Sequence, residues 1–304
     1  MTEYDFCIAW NWEYDADFIA LLEIACISRG ISVLEITTDN LEDSIQALAP
    51  STRGLSFGAF FDRASDTDVR FIPVVEWARK NASYRINPHE HEVRTRNKAA
   101  MHNDFISSGI CTPYTIIIPS FEEQSDLSPI DISPLGGVFY IKPAHGGGGE
   151  GVVKEATTFD QVLIARQEFP ADKYLLQEHI TPVLLDSRPA WFRIIYCAEK
   201  EYLSFWDPTT YIYNLITPYE EEKYRLTPLR EIISIIARVC NLDIFSTEIA
   251  LTRDGNFIVV DYVNDQIDAR LQSKAADGVP DEIVQDIARR LADKIFQHYN
   301  FLKT

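Results

Sequence analysis

The 304-residue sequence predicts an α/β fold that opens as a parallel unit and continues as mixed α+β structure. Three observations carry this reading. Phe6-Cys7-Ile8-Ala9-Trp10 has the character of a buried strand. Phe18, Leu21, Leu22 and Ala25 then recur at helical spacing up to Gly30, and Ile31 to Ile36 forms a second strand. A strand–helix–strand start argues for an open parallel sheet. Further on, a β-rich run ending at Lys142 meets five glycines within six positions before a second apolar run. Near the end, Asp254-Gly255 reads as a hairpin turn between β-rich runs at 243–251 and 256–263.

The remaining elements follow in order. Pro73 suits the first residue of a short helix running to Lys80, and Tyr84 to Pro88 leaves that helix. A further helix is expected from Arg96 to Ser108, closed by Gly109. The segment from Glu122 to Pro134 is polar and carries prolines, so it reads as a loop. Phe159, Val162, Leu163 and Arg166 outline a helix. Lys173 to Gln177 and Trp191 to Tyr196 read as strands. Thr227-Pro228 opens a helix with Ile232, Ile235, Ile236 and Val239 on its apolar side, and Pro280-Asp281 opens the last one, with Ile283, Ile287, Leu291 and Ile295 on one face.

The formal charge of −18 sets a field that repels nucleic acid and anionic membrane surfaces, so neither is expected as a partner. No segment approaches the ~18 apolar residues of a membrane span. Met1 to Asp5 lacks the basic and apolar regions of a signal peptide, which leads us to expect a cytoplasmic protein. The five cysteines are scattered among apolar neighbours with no C-x-x-C pair, as expected of small core residues.

The run from Tyr140 to Val153 carries the most chemistry. Glycine lets the backbone approach an anion closely and turn its N–H groups toward it, and Lys142 supplies a fixed charge beside it. The run is neither a Walker loop nor a Rossmann turn, because no Gly-Lys-Ser/Thr follows and the glycines lead into a β-like segment. It reads as a phosphate cradle or as a flexible surface hairpin. Lys142 lies inside an apolar β run, where a lysine needs a partner or a ligand. Arg193, flanked by Trp191, Phe192, Ile194 and Ile195, raises the same question, with a structural salt bridge as the alternative.

Taken in order, Lys98 before Thr112-Pro113-Tyr114-Thr115, Lys142 with its glycine loop, Gln177-Glu178-His179-Ile180, Arg193, Glu248, and Asp261 with Asn264 resemble the ATP-grasp superfamily over Lys98 to Asp265. The match is nearest to the ligases that add glutamate, such as ribosomal-protein glutamate ligase, and to glutathione synthetase. The resemblance implies an N-terminal substrate-side domain over 1–95, a central subdomain over 96–176 and a C-terminal subdomain over 177–304, the last two clasping ATP. It implies that Lys98 and Lys142 bind α- and β-phosphate oxygens as point charges. His145 and Gly146, Gly147, Gly148 and Gly149 would close over the phosphates, and Gln177, Glu178, His179 and Ile180 would hold the adenine. Glu248, Asp261 and Asn264 would hold Mg²⁺. Arg193 would stabilise the transferring phosphoryl group. The implied activity is a carboxylate–amine ligase working through an acyl phosphate on small-molecule substrates, and the relatives' frequent dimers make a homodimer the expected assembly.

Three features depart from the family pattern. Asp261-Tyr262-Val263-Asn264 holds one residue more than the usual Glu-x-Asn, which a bulge would absorb; otherwise Asn264 or Asp265 fills the place. Trp191 stands where relatives carry an acidic residue for the ribose, leaving Asp186 as the substitute. The stretch from Ser204 to Asn214 is aromatic where ligases often place a basic residue. A kinase for a small-molecule hydroxyl and a non-catalytic ATP-binding module are the alternatives. Arg63, near the end of a Phe-rich strand, and Arg270 are candidates to grip a substrate carboxylate, with surface ion pairs as the other reading. His89-Glu90-His91-Glu92 could chelate a metal from a strand edge, but reads more simply as an exposed polar loop before a helix.

Overall fold

In the computed structural model, which describes residues 2–52 and 54–303 (side chains to 300), three sheets are joined by helices that cover their faces. The chain opens with β1 (Thr2–Trp10), α1 (Ala16–Ile27), β2 (Val33–Ile36), α2 (Leu41–Leu48), β3 (Leu55–Arg63), α3 (Ile72–Asn81) and β4 (Tyr84–Ile86). The four strands form one wholly parallel sheet in the order β2-β1-β3-β4. Helices cross between parallel strands because the chain must return to the starting edge, and both faces are buried for that reason. Phe6, Ile8 and Phe61 face one core, and Cys7, Phe57 and Phe60 face another.

The segment after β4 departs from expectation. Residues His89 to Arg96 form a helix, α4, rather than a loop, and a second helix, α5 (Lys98–Ser107), follows at once. Asn97 separates them. Its extended backbone (φ −78°, ψ 94°) ends α4, while its side chain caps α5 by accepting from the Ala100 N–H at 2.9 Å. Hydrophobic periodicity could not show α4, because Val93 is its one aliphatic residue among charged and polar ones.

A second sheet contains β5 (Thr115–Ile118), β6 (Phe139–Pro143), β7 (Val153–Ala156) and β8 (Tyr174–Glu178), in the antiparallel order β5-β8-β6-β7, with α6 (Phe159–Ala165) packed on it. A small ladder of β9 (Leu184–Leu185) and β10 (Arg188–Pro189) leads to the third sheet. That sheet is built from β11 (Trp191–Cys197), β12 (Lys200–Trp206), β13 (Tyr213–Leu215), β14 (Ile244–Leu251) and β15 (Phe257–Asn264). Its order is β13-β12-β11-β14-β15, all antiparallel. Helices α7 (Pro218–Lys223) and α8 (Pro228–Cys240) are inserted between β13 and β14, and α8 buries Leu229, Ile233 and Ile236 against the sheet.

The last helix, α9 (Asp281–Lys303), returns to the beginning of the chain: Ile283, Ile287, Leu291 and Ile295 share a core with Phe18, Leu22 and Phe61. Asn87, in a left-handed conformation (φ 49°) that asparagine tolerates, joins the first sheet to the third. Its side chain accepts from the N–H groups of Asp243 (2.9 Å) and Ile244 (3.0 Å) and donates to the Ile244 carbonyl at 2.6 Å. Four cysteines are buried; Cys111 is exposed, contrary to expectation. No helix among the described residues is long and apolar enough to cross a membrane.

Candidate functional site

Strand alternation sends Trp191 and Arg193 to one face of β11, while Phe192 and Ile194 enter the core. In the antiparallel register Arg193 lies opposite Ser204 on β12 and Glu248 on β14, and Glu248 lies opposite Asp261 on β15. A single rung across the sheet therefore carries a guanidinium followed by two carboxylates. The β14–β15 register slips on both sides of the Glu248–Asp261 pair. One slip accommodates the extra residue between Asp261 and Asn264, and the Asn264 amide donates to Asp261 Oδ2 at 3.0 Å.

The rung is held by specific contacts. Arg193 donates to Glu248 Oε1 (3.1 Å) and to the Ser246 hydroxyl (3.3 Å), and stacks over the Trp206 ring at 4.8 Å. Its Nε is buried with no hydrogen-bond partner. The Trp191 indole N–H donates to Glu248 Oε2 at 3.0 Å. Burial raises the Glu248 carboxyl above its ordinary range despite the nearby Arg193. Burial also acts to raise Asp261, but Lys142, Lys98, the Asn264 amide and Arg193 together outweigh it and hold that carboxyl below its ordinary range. Two carboxylates on one rung are thus pushed in opposite directions.

Lys142 reaches the rung from the second sheet. On β6, Phe139, Ile141 and Pro143 turn inward, leaving Tyr140 and Lys142 on the face toward the third sheet. The Lys142 ammonium donates to Gln177 Oε1 (2.7 Å) and to the Val260 carbonyl (3.3 Å). Burial lowers its pKa, and Asp261 partly offsets this. Lys98 opens α5 beside the glycine loop: its backbone N–H donates to the Ala144 carbonyl at 2.7 Å, and its ammonium donates to the Gly146 carbonyl.

The loop is exposed and built on backbone that side chains rarely adopt. Gly146, Gly148, Gly149 and Gly151 have φ of 101°, 61°, 82° and 67°. His145 anchors its start, with its backbone N–H donating to Asp172 (2.7 Å) and its ring pairing with the same carboxylate (2.8 Å). Gln177 is buried beneath Lys142, Glu178 accepts from the Tyr114 N–H at 2.8 Å, and the His179 ring stacks on Tyr140. Ile180 lies just past β8.

Three of the expected residues lie in other surroundings. Asp186 sits on the exposed turn between β9 and β10, paired with Lys223 and Tyr224. Arg63 is buried in a two-pronged pair with Asp15 (both contacts 2.7 Å) and donates to the Ile267 carbonyl at 2.9 Å. Arg270 is held between Asp268 (2.7 Å) and Asp277 (2.9 Å). Each of these pairs occupies the cation or carboxylate that the sequence reading left free for a ligand.

Sequence reasoning missed several participants. Tyr262 stands between Lys142 and α5: its hydroxyl accepts from Gln177 Nε2 (3.0 Å) and meets His102 Nδ1 (2.7 Å). Trp191 and Ser246 hold Glu248 and Arg193 in place, and Asp172 holds His145. Ser246 and Trp191 left the signal of strand alternation, being two residues from Glu248 and from Arg193 and so on the same faces of β14 and β11. Trp206 and Tyr213, from the aromatic stretch, are buried and pack on each other at 4.6 Å, Trp206 under Arg193, whereas Phe205 enters the core on the other face of the sheet.

No protein-family model matches the sequence, and no curated protein matches it by sequence. Solved structures do match over nearly the whole chain. A RimK-domain ATP-grasp protein of Sphaerobacter thermophilus is 19% identical with a TM-score of 0.64, covering 95% of this chain and 99% of its own. The D-alanine–D-alanine ligase of Bacillus anthracis, solved with ATP, is 14% identical with a TM-score of 0.62 over 97% and 98% of the two chains. The ATP-grasp ligase PsnB, solved with a minimal precursor, Mg and ADP, is 12% identical with a TM-score of 0.59 over 96% and 97%. The chain has the ATP-grasp fold.

Proposed function

We propose that the protein is an ATP- and Mg²⁺-dependent carboxylate–amine ligase. The observation that carries this reading is the rung of Arg193, Glu248 and Asp261, with buried Lys142 against it. Two carboxylates and an amide oxygen on facing strands form the oxygen-rich donor set that Mg²⁺ takes, and three cations stand where phosphates would need them. Glu248, Asp261 and Asn264 would hold the metal, whose charge on the phosphate oxygens is the chemistry it supplies when bound. The buried and unpartnered Nε of Arg193 fits a group waiting for an anion.

In this reading Lys98 and Lys142 position the phosphates, and the loop from His145 to Gly149 closes over them and excludes water. Glu178, His179 and Ile180 line the base, with Tyr140 and His179 offering stacked ring faces. The γ-phosphoryl group passes to a substrate carboxylate while Arg193 stabilises the charge that develops, and an amine then displaces phosphate to leave an amide. No side-chain nucleophile is required; positioning and charge carry the rate. The D-alanine–D-alanine ligase and the PsnB ligase among the solved structures of similar fold support the class.

The test incubates the protein with ATP, Mg²⁺ and pooled carboxylates and amines, and measures ADP and free phosphate separately. Equal amounts, with a product lighter than its two substrates by one water, support the ligase. ADP without free phosphate, with a phosphorylated product, contradicts it and establishes a kinase on this scaffold.

A further inference from the structure

Outside the rung, the most unusual cluster lies where α4 meets the carboxyl end of β3. His89 and Glu92 are three residues apart on α4 and so share a face. Together with Asp62 they offer three ligand atoms within 4.8 Å of one another. His91 and Glu90 turn elsewhere, to the Asn241 carbonyl and to Arg85. Asp62 and Glu92 are buried, and the Glu92 side chain has no exposed area.

A buried carboxylate needs hydrogen bonds or a cation. Asp62 has hydrogen bonds, from the N–H groups of Ala64 (3.1 Å) and Ser65 (3.0 Å) and from the Ser65 hydroxyl. Glu92 is less well served: its Oε1 accepts from the Gln266 amide at 3.4 Å, but its Oε2 has no hydrogen-bond partner, nor does the buried Nδ1 of His89, 3.9 Å from it. The nearest cation, Arg96, stands 3.7 Å from Oε2 but spends its best contacts on Asp265, at 2.7 and 2.8 Å. Asp66 adds a further carboxyl nearby, raised by burial and by Asp62 and Asp265 against the pull of Arg96. Four carboxyl groups thus share one guanidinium.

We propose that Asp62, His89 and Glu92 form a binding site for a divalent d-block cation such as Zn²⁺, separate from the Glu248–Asp261 site. One imidazole and two carboxylates are the ligand set such ions take, with water in the remaining position. An ammonium group would meet the charge but would gain less from an aromatic nitrogen lone pair. Ligand atoms around tetrahedral zinc stand about 3.4 Å apart, so binding draws the three side chains inward by roughly 1 Å. Asp62 is already oriented by its donors, and the half-buried His89 leaves a route in from solvent. The ion would pin the parallel sheet to α4 and, through Gln266, which donates to the Asp62 carbonyl at 3.2 Å, to the segment after β15.

The test titrates Zn²⁺ alone, without nucleotide, into Glu248→Gln/Asp261→Asn protein, which removes the other oxygen-rich site. One equivalent should bind, and adding His89→Ala or Glu92→Gln should weaken it at least 100-fold, while His91→Ala on the same helix leaves it unchanged. His89 is partly exposed, so its variant keeps the fold, which thermal melting checks. Absence of zinc binding, or binding indifferent to both His89→Ala and Glu92→Gln, overturns the proposal and leaves the ligase reading untouched.

Discussion

Glu248 and Asp261 face each other across one rung of the β14–β15 ladder, with a register slip on each side of that rung. The slips let two carboxylates on neighbouring strands share a face, although Asp261 and Asn264 are three residues apart rather than two. Burial acts to raise both; at Glu248 it prevails over Arg193, while at Asp261 Lys142 and Lys98, with Asn264 and Arg193, prevail over it, so the pair divides into one raised and one depressed group. Such a pair left without a cation would repel itself, and Arg193 and Lys142 lie on either side of it.

Arg193 tests the division between binding and chemistry. Replacing it with Lys keeps a charge against Glu248 but loses the planar fork that also reaches Ser246. Steady-state kinetics should show kcat reduced by about 10²–10³, with the KM for ATP within a few-fold, because the group acts on charge that develops in the transition state. A raised KM with unchanged kcat would instead assign Arg193 to ground-state binding.

The glycine loop gives two contrasting outcomes. A Cβ at Gly151 (φ 67°) would run into the Phe169 ring and approach Pro143 Cγ at 3.2 Å, whereas at Gly148 (φ 61°) it meets open space. Gly148→Ala should cost only about 1 kcal/mol of backbone strain, while Gly151→Ala should cost roughly 2–4 kcal/mol, a difference visible in thermal melts. Equal melting shifts for the two would mean the ring moves aside freely.

Asn87 links the first and third sheets, and Asn87→Ala removes the acceptor of two backbone N–H groups at the start of β14. Leaving those donors unsatisfied, and placing alanine at φ 49°, should destabilise the protein by about 2–4 kcal/mol in urea unfolding. A loss below 1 kcal/mol would show that water replaces the side chain.

Asp286 predicts a pH dependence. Burial acts to raise its carboxyl, but hydrogen bonds from Lys200 and Tyr202 prevail and bring it from 3.8 to about 2. A group depressed in the folded state stabilises it above the unfolded pKa, and that contribution is lost as pH falls through the folded value. The melting difference between wild type and Asp286→Asn should be full at pH 6 and shrink between pH 4 and 2. A difference constant over that range would remove the linkage.

Most elements were legible from the sequence where hydrophobic period was strong, as in α1, α8 and β14–β15. The α4 helix was not, because His89-Glu90-His91-Glu92 shows no apolar stripe and is held by Asn97, Arg85 and Asn241 through contacts that only the fold creates. Lys142 and Arg193 could be singled out because charge inside apolar β runs is costly and therefore conspicuous, and Glu248 and Asp261 because they fall on the two arms of one hairpin. That these four converge depended on register across two sheets, which no local pattern encodes. The pairs that occupy Arg63 and Asp186 were equally hidden, since Asp15 and Lys223 lie far from their partners in sequence, whereas Arg270 is held by its near neighbours Asp268 and Asp277.

In the proposed function the Arg193–Glu248–Asp261 rung and Lys142 form a site for ATP with Mg²⁺. The most direct measurement is calorimetric titration of ATP, with and without Mg²⁺, into wild type and into Glu248→Gln/Asp261→Asn protein. Wild type should bind ATP at least 10-fold more tightly with Mg²⁺ than without, and the double variant should lose this gain. Absence of ATP binding by wild type, or a Mg²⁺ effect that survives in the double variant, would contradict it.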